Sequence, residues 1–161
     1  NVKLSRYDIV QSYMILGGIP YYMSMMDKSK SVSQNIDYLF FSKDAPLREE
    51  FNDLYRALFK NASPHIEIVT ALATKQKGLS RLELLKITKL PDNGAFGTML
   101  EELEQCGFIR VYEPFTNKIT TGGKRQKNNV IYQLIDFYTL FYFKVNIICL
   151  HRNPHYGIMQ P

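Results

Sequence analysis

Leu100-Glu101-Glu102-Leu103-Glu104-Gln105-Cys106-Gly107-Phe108-Ile109-Arg110-Val111-Tyr112 is the stretch on which the fold of this chain turns. Up to Gln105 the apolar residues recur at helical spacing, with Phe96, Met99, Leu100 and Leu103 on one side. Gly107 stops that helix. From Phe108 to Tyr112 the apolar period drops to two, the mark of a strand with one covered face. Val130-Ile131-Tyr132-Gln133-Leu134 repeats the strand pattern. The polar run Thr116–Asn129 between them, with Gly122 and Gly123 at its middle, joins the two strands as a hairpin.

Working upstream, Leu90-Pro91-Asp92-Asn93-Gly94 is a turn into the helix from about Ala95 to Gln105. Ser80 with Glu83 three residues on forms a capping box, and that helix carries Leu82, Leu85 and Ile87. Ser63-Pro64 opens an earlier helix through Ile66, Val69, Leu72 and Ala73, ending at Gly78. Helix, helix, turn, helix and a two-stranded hairpin is the order of a winged helix-turn-helix domain, here over 62–135.

Residues 1–61 read as a small helical bundle. Ser5 caps a first helix over 5–16, with Ile9, Val10, Tyr13 and Met14 at helical spacing. Gly17-Gly18 ends it, and Pro20 fits only the first turn of the next helix, which runs to about Met26. A third helix begins after Ser31 or Ser33, with Ile36, Leu39 and Phe40 on one face. A fourth is expected from Asp44-Ala45-Pro46, with Leu47, Phe51, Leu54, Tyr55, Leu58 and Phe59 inward. Residues 136–161 hold an aromatic helix from Phe137 and a tail. The fold class is mostly α, with one small wing.

The chain of 161 residues is 45% hydrophobic and 22% charged, which excludes a disordered chain. Eleven Tyr and ten Phe, with no Trp, supply much of the core. A net charge of +5 permits an acidic partner or nucleic acid without requiring either. Cys106 and Cys149 lie in apolar surroundings and read as buried thiols, as in a reducing, cytoplasmic protein. The tract Phe137–Leu150 is too short to span a bilayer and is broken by Lys144 and Asn146, so no membrane partner is expected. The start at Asn1 and the end at Gln160-Pro161 read as a segment of a longer polypeptide.

The ordered set Gly17-Gly18-Ile19-Pro20-Tyr21-Tyr22, Gln34-Asn35-Ile36, Glu50-Phe51, Leu58-Phe59, Leu79-Ser80-Arg81, Leu100 to Glu104, Gly107-Phe108-Ile109 and Tyr132 to Phe137 resembles the C-terminal half of prokaryotic archaeal-type AAA+ or STAND-like ATPases. The resemblance implies that 1–61 is the helical lid of an ATPase and 62–135 its winged-helix domain. It implies that 136–161 leads to a further C-terminal domain. By the same resemblance Pro20 packs on the adenine of ATP, with Gly18 allowing close approach, and the partners are a P-loop ATPase core, holding ATP with Mg, and that C-terminal domain. No Gly-x-x-x-x-Gly-Lys-Ser/Thr is present: Gly122-Gly123-Lys124-Arg125 has Lys118 where the first glycine belongs and no hydroxyl after the lysine. The chain is therefore expected to be non-catalytic by itself.

Lys118, Lys124, Arg125 and Lys127 give the wing cations that can follow a DNA backbone, though a solvated hairpin tip explains them as well. The helix that would enter a groove argues the other way: Glu101, Glu102 and Glu104 repel a phosphate-lined groove. The expectation is thus a regulatory fragment of an ATP-binding ATPase, its winged helix coupling nucleotide state to a protein partner. The alternative is a free-standing winged-helix DNA-binding transcriptional regulator. His151 and His155 share a spacing of four beside Cys149, but Asn153-Pro154 breaks the helix that would align them, and no metal site is expected. Asp136 reads as a helix cap, and Glu49 and Glu50 as charges suited to a helix start.

Overall fold

A computed structural model describes residues 5–113 and 130–152. They form a mostly helical protein with a small antiparallel sheet of three strands. Two compact units divide the chain: the first runs through Leu58 and resumes at Phe137, and the second is Phe59–Asp136.

In the first unit α1 (Arg6–Leu16) starts on a reciprocal cap. The Asp8 backbone N–H donates to Ser5 Oγ at 3.1 Å, and the Ser5 N–H donates to the Asp8 carboxylate at 2.9 Å. The Ser5 hydroxyl, donating to the Asp8 carboxylate at 2.7 Å, and then the Ser5 N–H hold the Asp8 carboxyl below its ordinary value. Gly17 and Gly18 both take left-handed backbone, at φ 66° and 70°, and Pro20 then opens α2 (Pro20–Ser24). A second capping box, Ser31 with Gln34, starts α3 (Val32–Ile36), which passes into a π-helical turn at Asp37–Phe41. Buried Asn35 fastens the preceding loop, accepting from the Asp27 N–H at 2.7 Å and donating to the carbonyls of Asp27 and Ser31.

The next helix, α4, is Glu50–Leu58 rather than a helix from Asp44. The Leu47 N–H donates to the Leu39 carbonyl at 3.0 Å, so the chain stays in turns until Glu49. Leu47 is buried all the same, from the loop. The C-terminal helix α8 (Phe137–Arg152), which the sequence sets apart as a separate segment, packs in this unit against α1. Aromatic residues of α8 also reach α4 and α2: Phe51 stacks on Tyr142 at 4.1 Å, and Tyr22 meets Tyr138 at 5.2 Å. The Tyr22 hydroxyl donates to Glu50 at 2.7 Å, so a buried phenol keeps its polar end satisfied.

The face expected to bury α1 is outside. Ile9, Val10, Tyr13 and Met14 are each at least half exposed, and Ser12 and Leu16 point inward. The inward Ser12 tolerates this because its hydroxyl donates to the Asp8 carbonyl at 2.8 Å.

In the second unit α5 (Ala62–Ala73) leads to β1 (Leu79–Ser80), α6 (Arg81–Thr88), α7 (Gly94–Gln105), β2 (Ile109–Tyr112) and β3 (Ile131–Leu134). The sheet order is β1-β3-β2. Ile109 pairs with Leu134 and Tyr112 with Ile131, as alternation across β2 and β3 requires. The third strand, β1, is absent from the sequence reading; Leu79 pairs with Tyr132 and Ser80 with Ile131. Gly78 makes that pairing possible. Its φ is 84°, and a Cβ there would lie 2.5 Å from the Tyr132 carbonyl oxygen.

Ile68, Val69, Leu72, Leu84, Phe96, Leu100 and Leu103 build the core of this unit. Two expectations fail here. Leu84, not Leu82 or Ile87, is the buried residue of α6; Leu82 is 63% exposed. A leucine-rich helix of eight residues offers several overlapping rows, and the turn of chain at Ser80 selects one. Cys106 is exposed, not buried, because it caps α7 and leaves the inward row of Phe96, Leu100 and Leu103.

Candidate functional site

Two places concentrate the residues of interest: the elbow Gly17–Tyr22 of the first unit and the outer face of α7 in the second. At the elbow, paired left-handed glycines reverse the chain so that Pro20 stands exposed at the first position of α2. Tyr21 beside it is 61% exposed, while Tyr22 is buried. The space above Gly18 is taken by Tyr13, whose ring would lie 2.3 Å from an added Cβ. That ring also meets Phe137 edge-on at 6.1 Å. The close approach at Gly18 is therefore made by the protein's own tyrosine, and Pro20 and Tyr21 are the elbow residues exposed to solvent.

On α7 the cap is Asn93, whose side-chain oxygen accepts from the Phe96 N–H at 3.1 Å. Arg81, first residue of α6, ties the α7 entry down. It donates to the Asp92 carboxylate at 2.7 Å and to the Asn93 carbonyl at 3.3 Å, and its guanidinium lies 4.8 Å from the Phe96 ring centre. This fixes which side of α7 faces outward: Thr98, Glu101, Glu102, Glu104 and Gln105 are all exposed. The start of α6 is pinned as firmly. Glu83 accepts from Lys75 Nζ at 2.8 Å and from the Ser80 N–H at 2.7 Å. The Lys75 ammonium first, then the Ser80 N–H and hydroxyl, lower its carboxyl to about 2.

His65 is the residue the sequence reading passed over. It is buried on the inward side of α5, with its ring stacked on Phe59 at 4.0 Å. Its Nδ1 lies 3.0 Å from the Asn61 carbonyl oxygen and its Nε2 lies 2.8 Å from Glu102 Oε2. The signal was present: His65 precedes Ile68, Val69 and Leu72 by three, four and seven residues, the inward row of α5. Both ring nitrogens are taken up by oxygens, so His65 is not placed to activate a nucleophile.

Lys118, Lys124, Arg125 and Lys127 lie outside the described residues, as do the side chains of Cys149 and His151 and all of His155. Among the described residues no cluster of three or more His, Cys, Asp or Glu is arranged to hold a metal ion, and no helix is long and apolar enough to cross a membrane. Comparison with protein-family models, with curated proteins and with solved structures finds no match to this chain.

Proposed function

We propose that the chain is a non-catalytic regulatory segment of an ATP-binding AAA+/STAND-like ATPase. The first unit is a lid whose elbow covers the adenine side of a nucleotide held by a P-loop core outside this chain. The second is a winged helix that relays nucleotide state to a protein partner. The observation that carries this reading is the elbow. It presents Pro20 and Tyr21 to solvent next to a helix, α1, that leaves Ile9, Val10 and Met14 uncovered. A rigid, apolar ring at a helix start suits the face of a purine, and an uncovered apolar face suits a neighbouring domain. The order α5-β1-α6-α7-β2-β3 in one three-stranded sheet supports the winged-helix part. The three exposed glutamates of α7 favour a protein partner over a duplex groove.

The test is nucleotide affinity in the longest natural polypeptide that contains this chain. Pro20→Ala removes two ring carbons, at about 0.8 kcal/mol per buried methylene, so ATP should bind about tenfold more weakly. Inorganic tripolyphosphate, which lacks the base, should bind unchanged. Equal ATP affinity in both proteins removes the elbow from the site. The rival reading, a free-standing winged-helix DNA-binding regulator, predicts duplex binding with a steep salt slope that Lys124→Ala, Arg125→Ala and Lys127→Ala together abolish.

A further inference from the structure

We propose that the uncovered face of α1 docks on the same face of a second copy of this chain, the two helices lying antiparallel across a two-fold axis at Val10. α1 is turned inside out relative to an ordinary surface helix. Its buried and half-buried residues are Asp8, Gln11, Ser12, Ile15 and Leu16. Its outward residues are Arg6, Tyr7, Ile9, Val10, Tyr13 and Met14, and at 3.6 residues per turn they fall within one half of the helix circumference. Tyr7 is 73% exposed, and Ile9, Val10, Tyr13 and Met14 are 50% to 57% exposed. The patch continues onto the start of α8, where exposed Phe137 meets the Tyr13 ring at 6.1 Å.

The size of this patch suits a second copy. Taking roughly 200 Å² for a whole large side chain, the five apolar residues of α1 and Phe137 leave roughly 600 Å² open, the upper end of what a chain that works alone exposes in one patch. Matched with itself, the patch removes roughly 1,200 Å² from water, the lower end of a specific, stable interface. The charge pattern suits it too. Arg6 is the one charged residue of the face and stands at its N-terminal end. With the axis at Val10, position 6 lies opposite 14 and position 7 opposite 13. Each guanidinium then lies beside the partner's Tyr13 and the partner's Met14, and the two arginines sit at opposite ends of the contact. Asp8 lies on the other side of the helix and is already bonded to Ser5, so the contact strands no carboxylate. A lipid surface fits less well. Helices that lie on membranes carry lysine or arginine along the polar side, and the polar side of α1 is Asp8, Gln11 and Ser12. The neighbouring domain over α1 is thus the first unit of the second copy, and the pairing stands with or without a nucleotide site.

Sedimentation velocity on the full chain tests this, with Val10→Glu and Val10→Lys as variants. Val10 is more than half exposed, so neither change touches the core, and circular dichroism should show wild-type helix content in both. The wild-type chain should sediment as a dimer at tens of micromolar. Across a two-fold axis each variant sets like charges face to face, so each alone should dimerise at least about tenfold more weakly. An equal mixture of the two sets glutamate against lysine and should recover the dimer. A wild-type monomer at that concentration overturns the proposal. A dimer that either variant leaves unweakened overturns it as well, because the contact then lies elsewhere. A mixture that stays monomeric overturns the axis at Val10. Wild-type chain that floats with phosphatidylcholine vesicles and forms no dimer gives the face to lipid instead.

Discussion

Gly18 offers the sharpest test of how the elbow is built. The substitution Gly18→Ala places a Cβ on backbone at φ 70° and 2.3 Å from Tyr13 Cε2. The backbone share is the penalty for a side chain in left-handed conformation, about 1–2 kcal/mol. The steric share is set by what Tyr13 loses when it moves. That ring is half exposed, so it can rotate into water, but it then gives up its edge-on contact with Phe137, about 0.5–1.5 kcal/mol. The sum is a destabilisation of about 1.5–3.5 kcal/mol, or roughly 4–10 °C in the thermal midpoint. Unfolding followed by circular dichroism measures it. A double-mutant cycle with Tyr13→Ala divides the two shares: in that background Gly18→Ala should cost only the backbone part. A loss under about 0.5 kcal/mol, or the same loss in both backgrounds, would falsify this account of the elbow. The result also bears on function. Gly18 is required by backbone and by Tyr13, with or without a nucleotide, so a change in ATP affinity at Gly18 is ambiguous where one at Pro20 is not.

Two further outcomes follow from the second unit. Leu84→Ala should cost about 2–5 kcal/mol and Leu82→Ala within about 0.5 kcal/mol, since only Leu84 is buried; equal losses in urea denaturation would mean that α6 sits in another rotation. Glu83 has a folded carboxyl value below its unfolded one. Its contribution is present above the ordinary carboxylate range and is lost as the pH falls toward about 2. Glu83→Gln should therefore flatten part of the acid limb of the stability curve while leaving the alkaline limb alone, and an unchanged acid limb contradicts the bonding drawn for Glu83.

Legibility in the sequence tracks how local each feature is. The caps at Ser5 and Ser80 and the stop at Gly17-Gly18 were readable because each is decided within four or five residues by local backbone geometry and hydrogen bonds; at the third helix the same reasoning left Ser31 and Ser33 both open. The switch from α7 to β2 was readable because an apolar period of 3.6 and one of 2 cannot be confused over a dozen residues. The buried row Phe96, Leu100 and Leu103 was readable for the same reason. The rotation of α1 and α6 was not, because each carries apolar residues in more than one row. β1 is two residues long and has no period to detect.

The candidate sites divide the same way. The elbow's chain reversal and the exposed acids of α7 are legible one residue at a time. The meeting of His65 with Glu102 joins residues 37 positions apart, and that partner is fixed by how α5 and α7 pack. By itself, then, the chain of residues determined where helices start and stop and where helix gives way to strand, since those outcomes depend on local hydrogen bonding and side-chain spacing. Only the tertiary structure decided which apolar rows are covered, which glycine is pressed by a neighbour and which histidine meets an acid. Burial and pairing depend on what arrives from elsewhere in the chain, and no window of sequence contains that.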